Sequence, residues 1–208
     1  DLVLPYYVFS RVFTDTEKLR DALVALIMGG VVLAAVGMFE LLRHWLLYAP
    51  LTDAWGSTEQ LLYLDRGGRL RALAAAGHPI ALGYGMAICL LLYLPIRARM
   101  ATGWQRNVLL LMLAGGLFAA LSRGPWIGAA IGIFAYVALG REAPVRNVVK
   151  LSVAGVFGLA VVAMLPFGQF VVDLIPFVGT VETHNIDYRQ RLMDNAWKII
   201  MEYPLLGS

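Results

Sequence analysis

The chain has 208 residues, 60% of them hydrophobic and only 15% charged, with a mean hydropathy of +0.71. A soluble domain carries roughly 25% charged residues, so this composition describes an integral membrane protein. The net charge of +3 comes without a basic, aromatic-interleaved surface and argues against a nucleic-acid partner, and the single Cys89 has no second cysteine for an internal disulfide.

The apolar runs are separate and interrupted by Gly, which favours helices over the weak alternation of an outer-membrane barrel. The sequence therefore predicts an all-α, polytopic helical membrane protein of about five spans plus an outer amphipathic helix. Residues 1–18 read as the end of a preceding element and a polar joint, with Arg11, Asp15, Glu17 and Lys18. Residues 19–208 read as part of one membrane domain continuing beyond both ends, since the chain opens on Asp1-Leu-Val-Leu-Pro5 without an initiator Met or signal peptide. The first span is expected at about Leu19 to Leu42, followed by a polar connection over 43–78. The second runs from about Pro79 to Ile96, and Arg97, Arg99 and Arg106 crowd the loop behind it. The third and fourth, Asn107 to Leu121 and Trp126 to Gly140, form a hairpin joined by Ser122-Arg-Gly-Pro125. A basic loop with Arg141, Arg146 and Lys150 leads to a fifth span over about Val148 to Phe167.

Orientation follows from the two short loops, which hold six basic residues against the single acid Glu142. Positive charge near span ends stays in the cytoplasm. The connection 43–78, the Ser122–Pro125 joint and the tail from Gly168 then fall outside. Six cations on that disfavoured side, Arg66, Arg69, Arg71, Arg123, Arg189 and Arg191, are all Arg, whose planar fork grips phosphate oxygens in pairs. The bland alternative is that acids in the same loops balance them.

Arg123 sits at the lip of the hairpin, with Pro125 suited to the first helical turn and Ser122 or Gly124 available as a cap. A cation beside a helix N-terminus would present an anionic group with two attractions; an arginine snorkelling to headgroups is the plainer reading. In the tail, Asp187-Tyr-Arg-Gln190 resembles a capping box. The following helix, to about Tyr203, places Leu192, Met193, Ala196, Trp197, Ile199 and Ile200 on one face. Arg189 precedes Met193 by four residues and shares that apolar face, so it needs an anionic partner. Arg191 falls on the polar face, where it is either a solvated residue or a peripheral substrate contact. His78, before Pro79, could bond a substrate hydroxyl or act as a base, or merely cap the span. His184 reads as a polar loop residue and His44, next to Trp45, as an interface residue. No metal-ligand spacing, nucleophile motif or phosphate loop is present, so the expected chemistry uses neither metal nor cofactor.

Three signatures together resemble the O-antigen ligase and polysaccharide polymerase family of bacterial inner-membrane glycosyltransferases. They are Gly77-His-Pro-Ile-Ala-Leu-Gly83 opening a span, Ser122-Arg-Gly-Pro-Trp126 at an outer hairpin, and Tyr188-Arg189 leading through an amphipathic helix to Pro204-Leu-Leu-Gly207. The resemblance covers roughly residues 60–208. It implies a multi-pass inner-membrane enzyme with its active face in the periplasm. An undecaprenyl-diphosphate-linked glycan would be the donor, and its sugar would pass with inversion to a hydroxyl of lipid A–core or of a growing polysaccharide. Arg123 and Arg189 match the family's motif arginines and would act catalytically on the diphosphate. Arg71, His78 and Arg191 are the candidate substrate contacts. The family's motif His, expected to orient or deprotonate the acceptor, would follow residue 208; His184-Asn185 precedes the amphipathic helix and does not take that role, so this stretch alone would be inactive. The competing class is a transporter of a small anion or solute, which would carry polar or broken-helix sites at mid-membrane; a scaffold for partner proteins is the third.

Overall fold

The computed structural model describes residues 3–12, 15–54, 63–66, 68–100, 103–140, 146, 148–150, 152–153, 155–157, 164 and 183–202. Its contacts divide the chain into two units, Asp1–Phe157 and Gly158–Ser208.

In the first unit a short helix α1 (Val3–Val12) precedes α2 (Thr16–Arg43). Asp15 caps α2 by accepting from the Glu17 N–H at 3.4 Å, so the helix starts three residues before the expected span and takes in Lys18 and Arg20. His44, expected at an interface, instead ends α2 with φ 53, its N–H bonded to the Glu40 carbonyl. The polar connection is not featureless. It holds α3 (Ala49–Ala54), a two-residue hairpin β1 (Asp65–Arg66) and β2 (Arg69–Leu70), and a 3-10 turn at Ala74–Ala76. Asp65 pairs with Leu70 and Arg66 with Arg69. Then follow α4 (Pro79–Met100), α5 (Trp104–Ala119) and α6 (Arg123–Ala138).

The all-helical expectation holds, with this hairpin as its one ornament among the described residues. Of the five expected spans, α2 and Pro79–Arg97 within α4 are long and apolar enough to cross a bilayer. The helices α5 and α6 have 16 residues each, rising about 24 Å against a hydrocarbon core of about 30 Å. A shorter apolar helix, Val148–Phe157, opens the region of the fifth, whose remainder lies outside the described residues apart from Met164.

α4 is the centre of the unit: α2, α5 and α6 all pack on it, and α6 touches α4 far more than it touches α5. Ile27, Cys89, Leu90, Tyr93 and Leu113 form the buried core between α2, α4 and α5. The outside is apolar as well, with Val32 64%, Leu111 69% and Ile131 63% exposed, as lipid-facing helices require. In lipid, tails compete equally for apolar surface, so close van der Waals packing must hold the helices together. Gly116 supplies it between α5 and α2: a Cβ there would stand 2.6 Å from the Ala34 Cβ and 2.8 Å from its Cα. Gly83 does the same for α4 and α6, where a Cβ would meet Pro125 Cγ at 2.7 Å.

The second unit contains the distal helix Thr183–Glu202. It begins one turn before the expected capping box, because Thr183 to Ile186 contains no Gly or Pro to delay it; Asp187 lies inside the helix. Residues 190–201 are all exposed, including the apolar face with Leu192, Met193 and Trp197.

Gly116→Ala should push α2 and α5 apart and lower stability by about 1–3 kcal/mol. Gly29→Ala, whose Cβ would meet nothing within 4 Å, should be neutral or slightly stabilising; thermal unfolding of the two variants in detergent checks this.

Candidate active site at the α5–α6 joint

The chain turns from α5 into α6 through Ala120, Leu121 and Ser122, all buried. Leu121 adopts φ 43, a left-handed conformation that costs a residue with a Cβ about 1–2 kcal/mol. The connection between α2 and α4 clasps this strained turn. Arg66 donates through Nη1 to the Leu121 carbonyl. Arg71 donates through Nη2 to Ser122 Oγ at 2.7 Å, with a longer 3.5 Å contact from Nε to the Ala120 carbonyl. The Ala72 N–H bonds the Ala119 carbonyl at 3.1 Å. The Ala119 carbonyl that ends α5 thus receives a backbone N–H, and the Ala120 and Leu121 carbonyls of the turn receive two guanidiniums, at the negative end of the helix dipole.

Ser122 is the residue before α6, but its side chain makes no capping bond. Its hydroxyl instead accepts from Arg71 and donates to the Ala120 carbonyl at 3.1 Å. Arg123 is the first residue of α6 rather than part of the turn, and Pro125 falls within the first turn as expected. Arg123 is half-buried with its Nε out of solvent contact. Trp126 locks the start of α6 to the end of α5: its Nε1 donates to the Leu117 carbonyl at 3.0 Å and its ring stacks on Phe118 at 5.5 Å. Across the joint stands Tyr84 of α4, whose hydroxyl would be 3.2 Å from a Cβ on Gly124. Gly124 therefore admits a phenol beside Arg123.

The connection is itself pinned from below. Glu40, in the last turn of α2, is 1% exposed. Its Oε2 accepts from the N–H groups of Leu73 (2.9 Å) and Ala74 (2.8 Å), and its Oε1 from that of Leu47 (3.1 Å). Three backbone donors satisfy a carboxylate that would otherwise be very costly to bury.

The structure thus brings Arg71 to Arg123's turn, joined by Arg66, which sequence reasoning did not single out as a site residue. His78 sits at the start of α4 at this end of the unit. The Ile80 N–H donates to its Nδ1 at 3.1 Å, so the ring caps α4. With Nδ1 accepting, the proton of a neutral ring is on Nε2, which can then donate a hydrogen bond. Arg189 and Arg191 lie in the distal helix of the second unit: Arg191 is exposed, and the side chains of Arg189 and His184 lie outside the described residues. Glu40 and Tyr84 were also missed. A lone acid inside an apolar run was the available signal for Glu40; Tyr84 gave none.

Residues 108–208 match a family model described as O-antigen ligase. The chain carries an O-antigen ligase-family segment. It includes α5, the joint with Arg123, α6 and the distal helix with Arg189, while Glu40, Arg66, Arg71 and His78 precede it. The family comprises membrane-bound, glycosyltransferase-like ligases and polymerases, in keeping with the two spanning helices. No curated protein and no solved structure matches the chain.

Glu40→Gln would turn an amide NH2 towards at least one backbone donor. It should destabilise the protein by about 1–3 kcal/mol, read as earlier thermal unfolding and faster protease cleavage within 43–78. Glu17→Gln, exposed in the first turn of α2, should change stability by less than about 1 kcal/mol. His78→Ala should cost about 1 kcal/mol as a lost cap, whereas His78→Asn should retain most of it.

Proposed function

We propose that the protein transfers a glycan from an undecaprenyl-diphosphate carrier to an acceptor hydroxyl, on lipid A–core or a growing polysaccharide, at the periplasmic face of the bacterial inner membrane. The acceptor hydroxyl oxygen attacks the anomeric carbon from the side opposite the carrier and gives up its proton to solvent, the bond from that carbon to the phosphate oxygen breaks, and the configuration inverts. Negative charge grows on the departing diphosphate. Guanidiniums fixed beside it stabilise that charge more in the transition state than in the bound donor, without a metal or cofactor. Arg123 and Arg189 are the residues for this role, with Arg71, His78 and Arg191 contacting substrate. Arg71 also shapes the joint, and His78 suits donation to a substrate oxygen.

The observation that carries the reading is the arginine-clasped joint, where Arg66 and Arg71 bond the turn that leads directly into Arg123, within and beside the matched O-antigen ligase segment. A transporter would be favoured by a charge left open at mid-membrane. The buried acid of α2, Glu40, lies in that helix's last turn with three backbone donors upon it, and gives that reading no support.

Arg123→Ala and Arg189→Ala should each lower transfer from a diphosphate-linked glycan in proteoliposomes by about 100-fold or more. Arg191→Ala should stay within a few-fold of wild type, and Arg→Lys at 123 or 189 should impair transfer through loss of the paired contact. Near-wild-type transfer by all of these variants, with normal membrane insertion, would overturn the assignment.

A further inference from the structure

The end of the bundle away from the joint carries a second group of cations that the transfer reaction does not use. α4 runs from His78 to this end over the 19 residues Pro79–Arg97, about 27 Å of helix. There Tyr93, Arg97, Gly103, Arg106, Asn107 and Leu110 line a cavity of about 270 Å3 between α4 and α5. That is at the small end of ligand cavities, suited to a headgroup rather than to a whole lipid or a nucleotide.

Its chemistry is one-sided. Between Asp65 and Glu142 the sequence contains no acidic residue, so α4, α5 and their loop offer the two arginines no carboxylate. Of the acids at the start of α2, Asp15 accepts from the Glu17 N–H, Asp21 pairs with Arg20 at 3.3 Å, and Glu17 lines a separate cavity with Thr16, Arg20, Pro95 and Ile96. The Tyr93 hydroxyl donates to the Arg106 carbonyl at 2.9 Å, which fixes the first turn of α5 against α4. That turn follows Gly103, with φ +51, and has no side-chain cap. Its N–H groups and dipole therefore add to the positive potential over the cavity. Trp104, 72% exposed at the same helix end, marks the level of the membrane interface.

We propose that this cavity is a phosphate site, with Arg97 and Arg106 holding the headgroup of an acidic membrane phospholipid and Asn107 donating to it. A basic pocket between spanning helices at headgroup depth is the arrangement that recognises such lipids. The site is independent of glycan transfer and would anchor the α4–α5 end at one depth in the bilayer.

The test is native mass spectrometry of the delipidated protein titrated with phosphatidylglycerol or phosphatidylcholine, with inorganic phosphate added to lipid-free micelles as a third arm, read as thermal stabilisation. Wild type should prefer phosphatidylglycerol, and Arg97→Gln with Arg106→Gln should weaken that preference by about fivefold per arginine without changing phosphatidylcholine binding. Asn107→Asp, which places an acid in the cavity and keeps both arginines, should weaken it as well should the double variant fail to fold. Stabilisation by inorganic phosphate that is lost in the variants, with no lipid preference, would support the phosphate site with free phosphate as its source. Equal phosphatidylglycerol preference in wild type and variants, with no phosphate effect to lose, would overturn the proposal.

Discussion

Three backbone N–H groups converge on the carboxylate of Glu40, and the end of the first unit that carries the joint depends on that contact. Two come from Leu73 and Ala74, at the start of a 3-10 turn in which Ala74 takes φ 45. A residue with a Cβ pays about 1–2 kcal/mol to stand there, and charge-assisted hydrogen bonds of up to about 3 kcal/mol each are strong enough to hold it. The third, from Leu47, ties down the segment leaving α2. A carboxylate placed one turn before the end of a spanning helix thus fixes where the polar connection crosses the bundle, and hence where Arg66 and Arg71 emerge.

From that anchor the geometry of the joint follows. Arg66 and Arg71 reach the carbonyls and hydroxyl of residues 120–122 because Ala72, adjacent to the Leu73 that contacts Glu40, is itself bonded to Ala119. Their charge stabilises the end of α5 and at the same time lies beside the start of α6, where Arg123 stands. The same guanidiniums therefore hold the strained turn at Leu121 and set the positive potential around it. An anion approaching the joint would meet a site already assembled, so little reorganisation would be required when charge develops on it.

The rest of the unit serves to keep that end in register. In a lipid environment apolar side chains gain little by touching one another rather than tails, so packing closeness decides which helices associate. Gly116 against Ala34 and Gly83 against Pro125 bring α5 to α2 and α6 to α4 at distances that admit no additional Cβ. The second of these contacts places Pro125, in the first turn of α6, directly on α4 near Tyr84. Packing and site are consequently one arrangement: the residue that seats α6 is two positions from Arg123.

The sequence alone determined the class of protein, because composition and long, charge-poor apolar runs are one-dimensional signals that lipid reads directly. It also carried the resemblance to the O-antigen ligase family, through Ser122-Arg-Gly-Pro-Trp126 and Tyr188-Arg189, which lie within the matched segment. Helix ends were legible to within a turn or so, shifted at α2 by the Asp15 cap and at the distal helix by the lack of a breaker before Asp187. What only the tertiary structure decided was the use of each polar side chain. Ser122 was legible as a cap but bonds Arg71 instead, and Glu40, unremarked within the first span, takes three backbone donors, whereas the capping role open to His78 needs only Ile80, two residues on. These assignments depend on partners 33 to 55 residues away for Glu40, Arg71 and Arg66, and no local pattern encodes which donor and acceptor a fold will bring together.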